Sequence, residues 1–157
     1  MSGSVLIVDD DGTVSALVAE VLTDEGFTVT HLGNTTSEAI RTAVNRLEPA
    51  VVLLDGSDKL GYSDSWANAA WLHQRARPVA VIMFTSHSSD LAEGQVRETE
   101  RSRLAAFVGF IGKPFDLDML LVQVDHWSQS YLLAVDPKTG ANRWKTNRPP
   151  IPACKTS

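Results

Sequence analysis

Four places in the chain carry side chains suited to phosphate chemistry. Asp9, Asp10 and Asp11 stand where the apolar run Val5-Leu6-Ile7-Val8 stops. Asp55 ends "VVLLD", Thr85 and Ser86 end "VIMFTS", and Lys113 ends "FIGK". Carboxylates drawn from two such places repel one another in a partly buried cleft unless a cation joins them. Mg²⁺ or Mn²⁺ fits that need, because it takes oxygen ligands and keeps waters that a phosphate can replace. A lysine adds a second positive charge on a flexible stem, and a threonine hydroxyl can donate to a phosphoryl oxygen. A carboxylate between a divalent ion and an ammonium can attack phosphorus, since both cations offset the arriving charge.

Positioning such a set requires regular elements. Runs at 5–8, 28–32, 50–54, 79–84 and 107–111 are short and mostly β-branched or aromatic, which predicts five strands. The first, third and fourth are almost continuously apolar, as in strands covered on both faces. Helical patterns lie between them. Val14, Leu17, Val18, Val21 and Leu22 form one stripe, with Gly26 as the stop and Asp11 as the N-cap. Thr35 with Glu38 reads as a capping box for a second helix. A third is expected over Ser65–Arg75, a fourth over about Asp90–Ala105, and a fifth from near Asp116. Strand-helix repeated five times predicts an α/β fold: an open, doubly wound parallel sheet with helices on both faces. Sites in such sheets form beyond the carboxyl ends of the strands, where the four clusters stand.

Two families use this chemistry. Haloacid-dehalogenase phosphohydrolases begin Asp-x-Asp-Gly-Thr, which Asp9, Asp11, Gly12 and Thr13 match; there Asp9 would be the nucleophile and Asp11 the acid. In that class, however, the Ser/Thr and Lys precede a late acidic pair behind another strand. Here Asp55 comes before Thr85, and Asp116 and Asp118 begin a helix. The order Asp9-Asp10, Asp55, Thr85, Lys113, in the contexts "VLIVDDD", "VVLLD", "VIMFTS" and "FVGFIGKPFDLDMLL", resembles the receiver domain of two-component response regulators over about residues 4–128.

That resemblance implies a flavodoxin-like sheet of order 2-1-3-4-5 and a role for each position. Asp55 would accept the phosphoryl group. Asp10 would bind the metal directly, Asp9 partly through water, with Asp55 and the Ser57 carbonyl completing the protein ligands. Lys113 would pair with the phosphoryl group, and its bond to Pro114 is often cis in the family. Thr85 would move toward the phosphoryl group, and the Phe110 rotamer would follow. Ser86, His87 and Asp58 would tune access and hydrolysis. The implied partners are a histidine kinase or phosphotransfer protein, a downstream protein target or an output domain, and a second copy through the fourth and fifth helices. Enzymatic turnover is not expected beyond slow autodephosphorylation. A receiver-like interaction domain that is never phosphorylated is the remaining alternative.

The chain departs from the family in two places. The loop after Asp55, "GSDKLGYSDSW", lacks the usual proline. Thr85 and Lys113 are 28 positions apart, which predicts an enlarged fourth helix or flanking loop. The run "RETERSR" within it reads as a solvated helix face, and Trp66 and Trp71 as packing residues.

Composition narrows the classes further. The segment 131–157 has five Lys/Arg against Asp136, a net of +4 against −5 for the whole chain, so residues 1–130 carry −9. So acidic a body is unsuited to nucleic acid. There is no apolar run of membrane-spanning length or export signal, and the single cysteine, Cys154, fits a reducing cytoplasm. The expected organisation is a domain over 1–130 and a basic, Pro-containing tail over 131–157, with a possible short hairpin around Pro137–Gly140. No output segment is legible after residue 130.

Overall fold

The computed structural model describes residues 3–55, 65–134, 136, 138, 139 and 141. Five strands, β1 Ser4–Val8, β2 Thr28–Leu32, β3 Val51–Asp55, β4 Ala80–Thr85 and β5 Gly109–Gly112, form one sheet of order β2-β1-β3-β4-β5. Every pairing is parallel, with Val5 opposite both Val29 and Val51, Asp55 opposite Phe84, and Thr85 opposite Gly112. Both β3 and β4 are buried along their whole length, whereas β2, at one edge, is largely half-exposed.

Alternate residues of each strand feed two separate cores, as a pleated strand requires. Val5, Ile7, Leu53, Ile82 and Phe84 pack with Val18 and Leu22 of α1 (Gly12–Asp24) and Leu120, Val124 and Trp127 of α6 (Leu117–Ala134). Leu6, Val8, Leu54, Val81 and Met83 pack with Ile40 and Val44 of α2 (Ser37–Leu47), Trp66 and Leu72 of α3 (Ser65–Gln74), and Ala105 of α5 (Glu100–Ala105). Burying each large side chain stabilises by about 1.5–3 kcal/mol. The sheet is thus covered on both sides, and its strand ends remain as the place for chemistry.

Several expectations need correction. The fourth helix is two: α4 Ser88–Val96, ended by Arg97 in the left-handed region (φ 54°), and α5, begun by Thr99, whose hydroxyl accepts from the Ser102 N–H. The "RETERSR" run therefore folds back on itself. Arg101 pairs in two-pronged fashion with Glu93 (2.6 Å each) and lies 4.5 Å from the Trp66 ring centre. The second helix is capped by Thr36, which accepts from the Ala39 N–H at 3.3 Å, and not by Thr35. On α1, Leu17 is exposed and Ser15 buried, so the stripe is rotated from its apolar reading. Residues 131–134 extend α6 instead of starting a strand; the turn signal after them is real, since Asp136 accepts from the Lys138 and Thr139 N–H groups. Asp11 does cap α1, accepting from Thr13 and Val14, and Gly26 (φ 94°) does terminate it. Among the described residues no helix is long and apolar enough to cross a membrane.

Candidate functional site

Asp9 follows β1 directly, Asp55 and Thr85 are the last residues of β3 and β4, and Lys113 follows β5. Because β1, β3, β4 and β5 are adjacent and run the same way, their carboxyl ends meet on one rim. Carboxylate oxygens of Asp9, Asp10 and Asp55 all lie within 4.8 Å of one another. Asp9 is fully buried, Asp55 nearly so, and Asp10 is exposed. The Lys113 ammonium sits 2.6 Å from Asp9 Oδ2 and 3.7 Å from Asp55 Oδ1, and 4.5 Å from the Phe84 ring centre. Among the described residues the Lys113 ammonium thus bridges two of the three clustered carboxylates, Asp9 and Asp55.

The supporting bonds fix this arrangement locally. Asp9 Oδ1 accepts from the Asp11 N–H (2.9 Å), and the Asp9 carbonyl accepts from His31 Nε2 (2.9 Å), which sets that ring's tautomer. The Asp55 carbonyl accepts from the Ser65 hydroxyl at the start of α3 (2.7 Å). Thr85 is wholly buried; its hydroxyl accepts from the His87 N–H (3.1 Å) and its carbonyl from the Lys113 N–H (2.8 Å). The Lys113–Pro114 bond is cis.

A hard divalent cation fits the donor set: oxygen ligands only, clustered, at the open end of a sheet. Asp11 stands apart from the cluster, since its carboxylate is spent on the α1 N-terminus. Ser86 and His87 are exposed beside Thr85. Phe110 lies half-buried in β5, with its ring 6.2 Å from that of Phe107. Ser57 and Asp58 lie outside the described residues. Sequence reasoning missed Ser65 and His31 as supports for the site backbone, because each acts on a main-chain group far away along the chain.

Residues 5–125 match the family described as the response regulator receiver domain. The chain belongs to that family. Similar solved structures are a signal receiver domain described as that of a LuxO repressor protein from Vibrio parahaemolyticus (25% identity, TM-score 0.69, 85% of this chain and 95% of that one) and a CheY-like receiver domain protein from Methanospirillum hungatei (21%, 0.67, 85% and 98%). NtrX from Brucella abortus, in complex with ADP, is similar over 85% of this chain but only 28% of its own length (23%, 0.67). No curated protein sequence matches significantly. This receiver domain therefore has the doubly wound architecture that its sequence predicted, and receivers are signalling domains of two-component systems.

Proposed function

We propose that this receiver domain is a phosphorylation-dependent switch with Asp55 as phosphoacceptor. The observation that carries the reading is the Lys113 ammonium, held between Asp9 and Asp55 in a cluster of three carboxylates at the strand ends. An Asp55 oxygen attacks phosphorus of a phosphohistidine on a histidine kinase or phosphotransfer protein. The new O–P bond forms as the P–N bond breaks, and the leaving imidazole takes up a proton. Asp10, Asp9, Asp55 and the Ser57 carbonyl would hold Mg²⁺ or Mn²⁺, which supplies charge neutralisation for the incoming phosphoryl oxygens. Lys113 pairs with the phosphoryl group, and Thr85 turns its hydroxyl from the His87 N–H toward it, with Phe110 following. Ser86, His87 and Asp58 set water access and hence the phosphate lifetime. The domain is not an enzyme beyond that self-limited hydrolysis.

The output passes to a protein target or a further domain. A second copy is one candidate through α4 and α6, where Val96, Met119 and Val122 are exposed. The receiver unit runs to the end of α6 at Ala134, a little beyond residue 130, and the basic tail follows it in a cytoplasmic protein.

Incubation with Mg²⁺ and a radiolabelled small phosphodonor should label wild-type protein once per chain. Label should be absent in Asp55→Asn and in chelator. Label retained by Asp55→Asn, or sustained turnover of phosphate esters, would overturn the reading.

A further inference from the structure

The strand that carries Phe110 is an edge of the sheet: among the described residues β5 pairs with β4 alone. The Lys113 N–H points to β4, where it donates to the Thr85 carbonyl. The peptide groups of Phe110 face the other way. An edge residue there ordinarily leaves its N–H and C=O to solvent. Instead both are taken by one side chain. Gln123, half-buried on α6, accepts from the Phe110 N–H through Oε1 (3.2 Å) and donates to the Phe110 carbonyl through Nε2 (2.9 Å).

Two missing side chains make this possible. A Cβ on Gly109 would stand 2.6 Å from Gln123 Oε1 and 3.3 Å from Trp127 Nε1, so any other residue would push the amide out. A Cβ on Gly94 of α4 would stand 2.5 Å from Cε1 of the Phe110 ring. Glycine inside a helix costs about 1 kcal/mol relative to alanine, and here the ring rests directly on the space it leaves. Phe110 is thereby gripped twice: its backbone by an amide from α6, its ring by a vacancy in α4.

We propose that Gln123 is a positioning residue for the switch, holding the Phe110 main chain so that the ring is seated on Gly94 before any ligand arrives. The inference rests on the phosphoacceptor reading above and extends it to a residue far from the phosphoryl site. A ligand at Asp55 that favours the seated ring then does not have to order it. Removing the amide makes ordering part of the cost of binding, and apparent affinity falls by the fraction of molecules already seated.

The test uses the full chain, beryllofluoride with Mg²⁺ as the phosphoryl mimic, and Gln123→Leu beside Gln123→Glu. Each lost hydrogen bond corresponds to about a 3- to 10-fold change. In Gln123→Leu the Phe110 amide should exchange its hydrogen at least about 3-fold faster by NMR. Beryllofluoride affinity should fall by a similar factor, while affinity for Mg²⁺ alone stays at the wild-type value. Gln123→Glu, whose carboxylate still accepts from the Phe110 N–H but cannot donate to the carbonyl, should lie between the two. Gly94→Ala should weaken beryllofluoride binding without altering Mg²⁺ binding, and should not add fully to Gln123→Leu. Wild-type beryllofluoride affinity in Gln123→Leu would overturn the proposal, as would equal losses of Mg²⁺ and beryllofluoride binding. Wild-type protein that binds no beryllofluoride would instead sink the Asp55 reading, and the proposal with it, whatever the amide exchange shows.

Discussion

Replacing Asp55 by Asn should stabilise the metal-free fold. The carboxylates of Asp9, Asp10 and Asp55 lie within 4.8 Å of one another, and Lys113 is 3.7 Å from Asp55. With an effective dielectric of about 20, a like pair at that separation repels by about 3.5 kcal/mol and the Lys113 pair attracts by about 4.5 kcal/mol. Of these three charge pairs alone, the balance is roughly 2.5 kcal/mol against the charged form of Asp55. Asp10 is exposed, so counterions and water reduce this to about 1–2 kcal/mol. For a chain of this size that is a rise of about 2–8 °C in Tm. Mg²⁺ should reverse the order: at a hundred times its Kd it adds about 2.7 kcal/mol to the wild type, and less to a variant lacking one ligand carboxylate. Denaturant melts of both proteins, in chelator and in Mg²⁺, measure all four values. An Asn variant less stable than wild type in chelator, or an equal gain from Mg²⁺ in both, would refute the charge argument.

Three further outcomes are expected. Lys113→Met leaves the fully buried Asp9 carboxylate without its ammonium and should cost about 3–5 kcal/mol in chelator, part of it restored by Mg²⁺; unchanged denaturation curves would count against the bridge. Thr85→Val deprives the His87 N–H of its acceptor and should cost about 1–2 kcal/mol, while single labelling of Asp55 survives. Glu93 is held down from 4.5 to about 2, first by its hydrogen bond from Arg101 and then by that from Thr99. Its folded value lies below its unfolded one, so its stabilisation is complete above pH 4.5 and is lost as pH falls toward 2. Glu93 is half-buried and its Arg101 partner is exposed, so screening limits the effect to about 1 kcal/mol or less. Acid titration of Glu93→Gln should lack that component.

The sheet was legible because its buried parallel strands write nearly unbroken apolar runs, and the candidate site because four of the five runs end in a polar group suited to phosphate chemistry. The Asp11 cap and the Gly26 stop were legible for local reasons: a carboxylate satisfies free N–H groups, and glycine accepts a positive φ. Other features depend on a neighbouring side chain or on tertiary docking. Thr35 and Thr36 are equally good caps in isolation; Asn34, which accepts from the Thr36 N–H at 3.1 Å, fixes the start one residue later. The face that α1 turns inward is set by its fit to the sheet, so Ser15 is buried and Leu17 exposed despite the apolar period. Tyr131 carries strand propensity but packs against the core beneath α6, and the helix continues. The role of Gln123 has no signature at all, because it depends on which strand lies at the sheet edge.

The break between α4 and α5 accounts for the extra length between Thr85 and Lys113. A single long helix would run past the domain; folding back lets α5 pack against α3, where Arg101 covers Trp66 and Trp66 meets Phe107 edge-on at 5.5 Å. The same turn fastens the end of α4. The Ser102 hydroxyl donates to the Glu93 carbonyl (2.9 Å), and Arg97 donates to the Phe107 carbonyl (2.8 Å). At its other end α4 begins at His87, whose N–H is bonded to the Thr85 hydroxyl. The helix that seats Phe110 on Gly94 is therefore pinned to the rim of the site at its start, and at its finish to α5 through Ser102 and to the segment before β5 through Arg97. With both ends fixed, a change at Thr85 has little room to slide α4 along its axis. The Phe110 ring meets Gly94 in the last turn of α4, beside the carbonyl that Ser102 holds, so the seat for the ring lies at the fastened end of the helix.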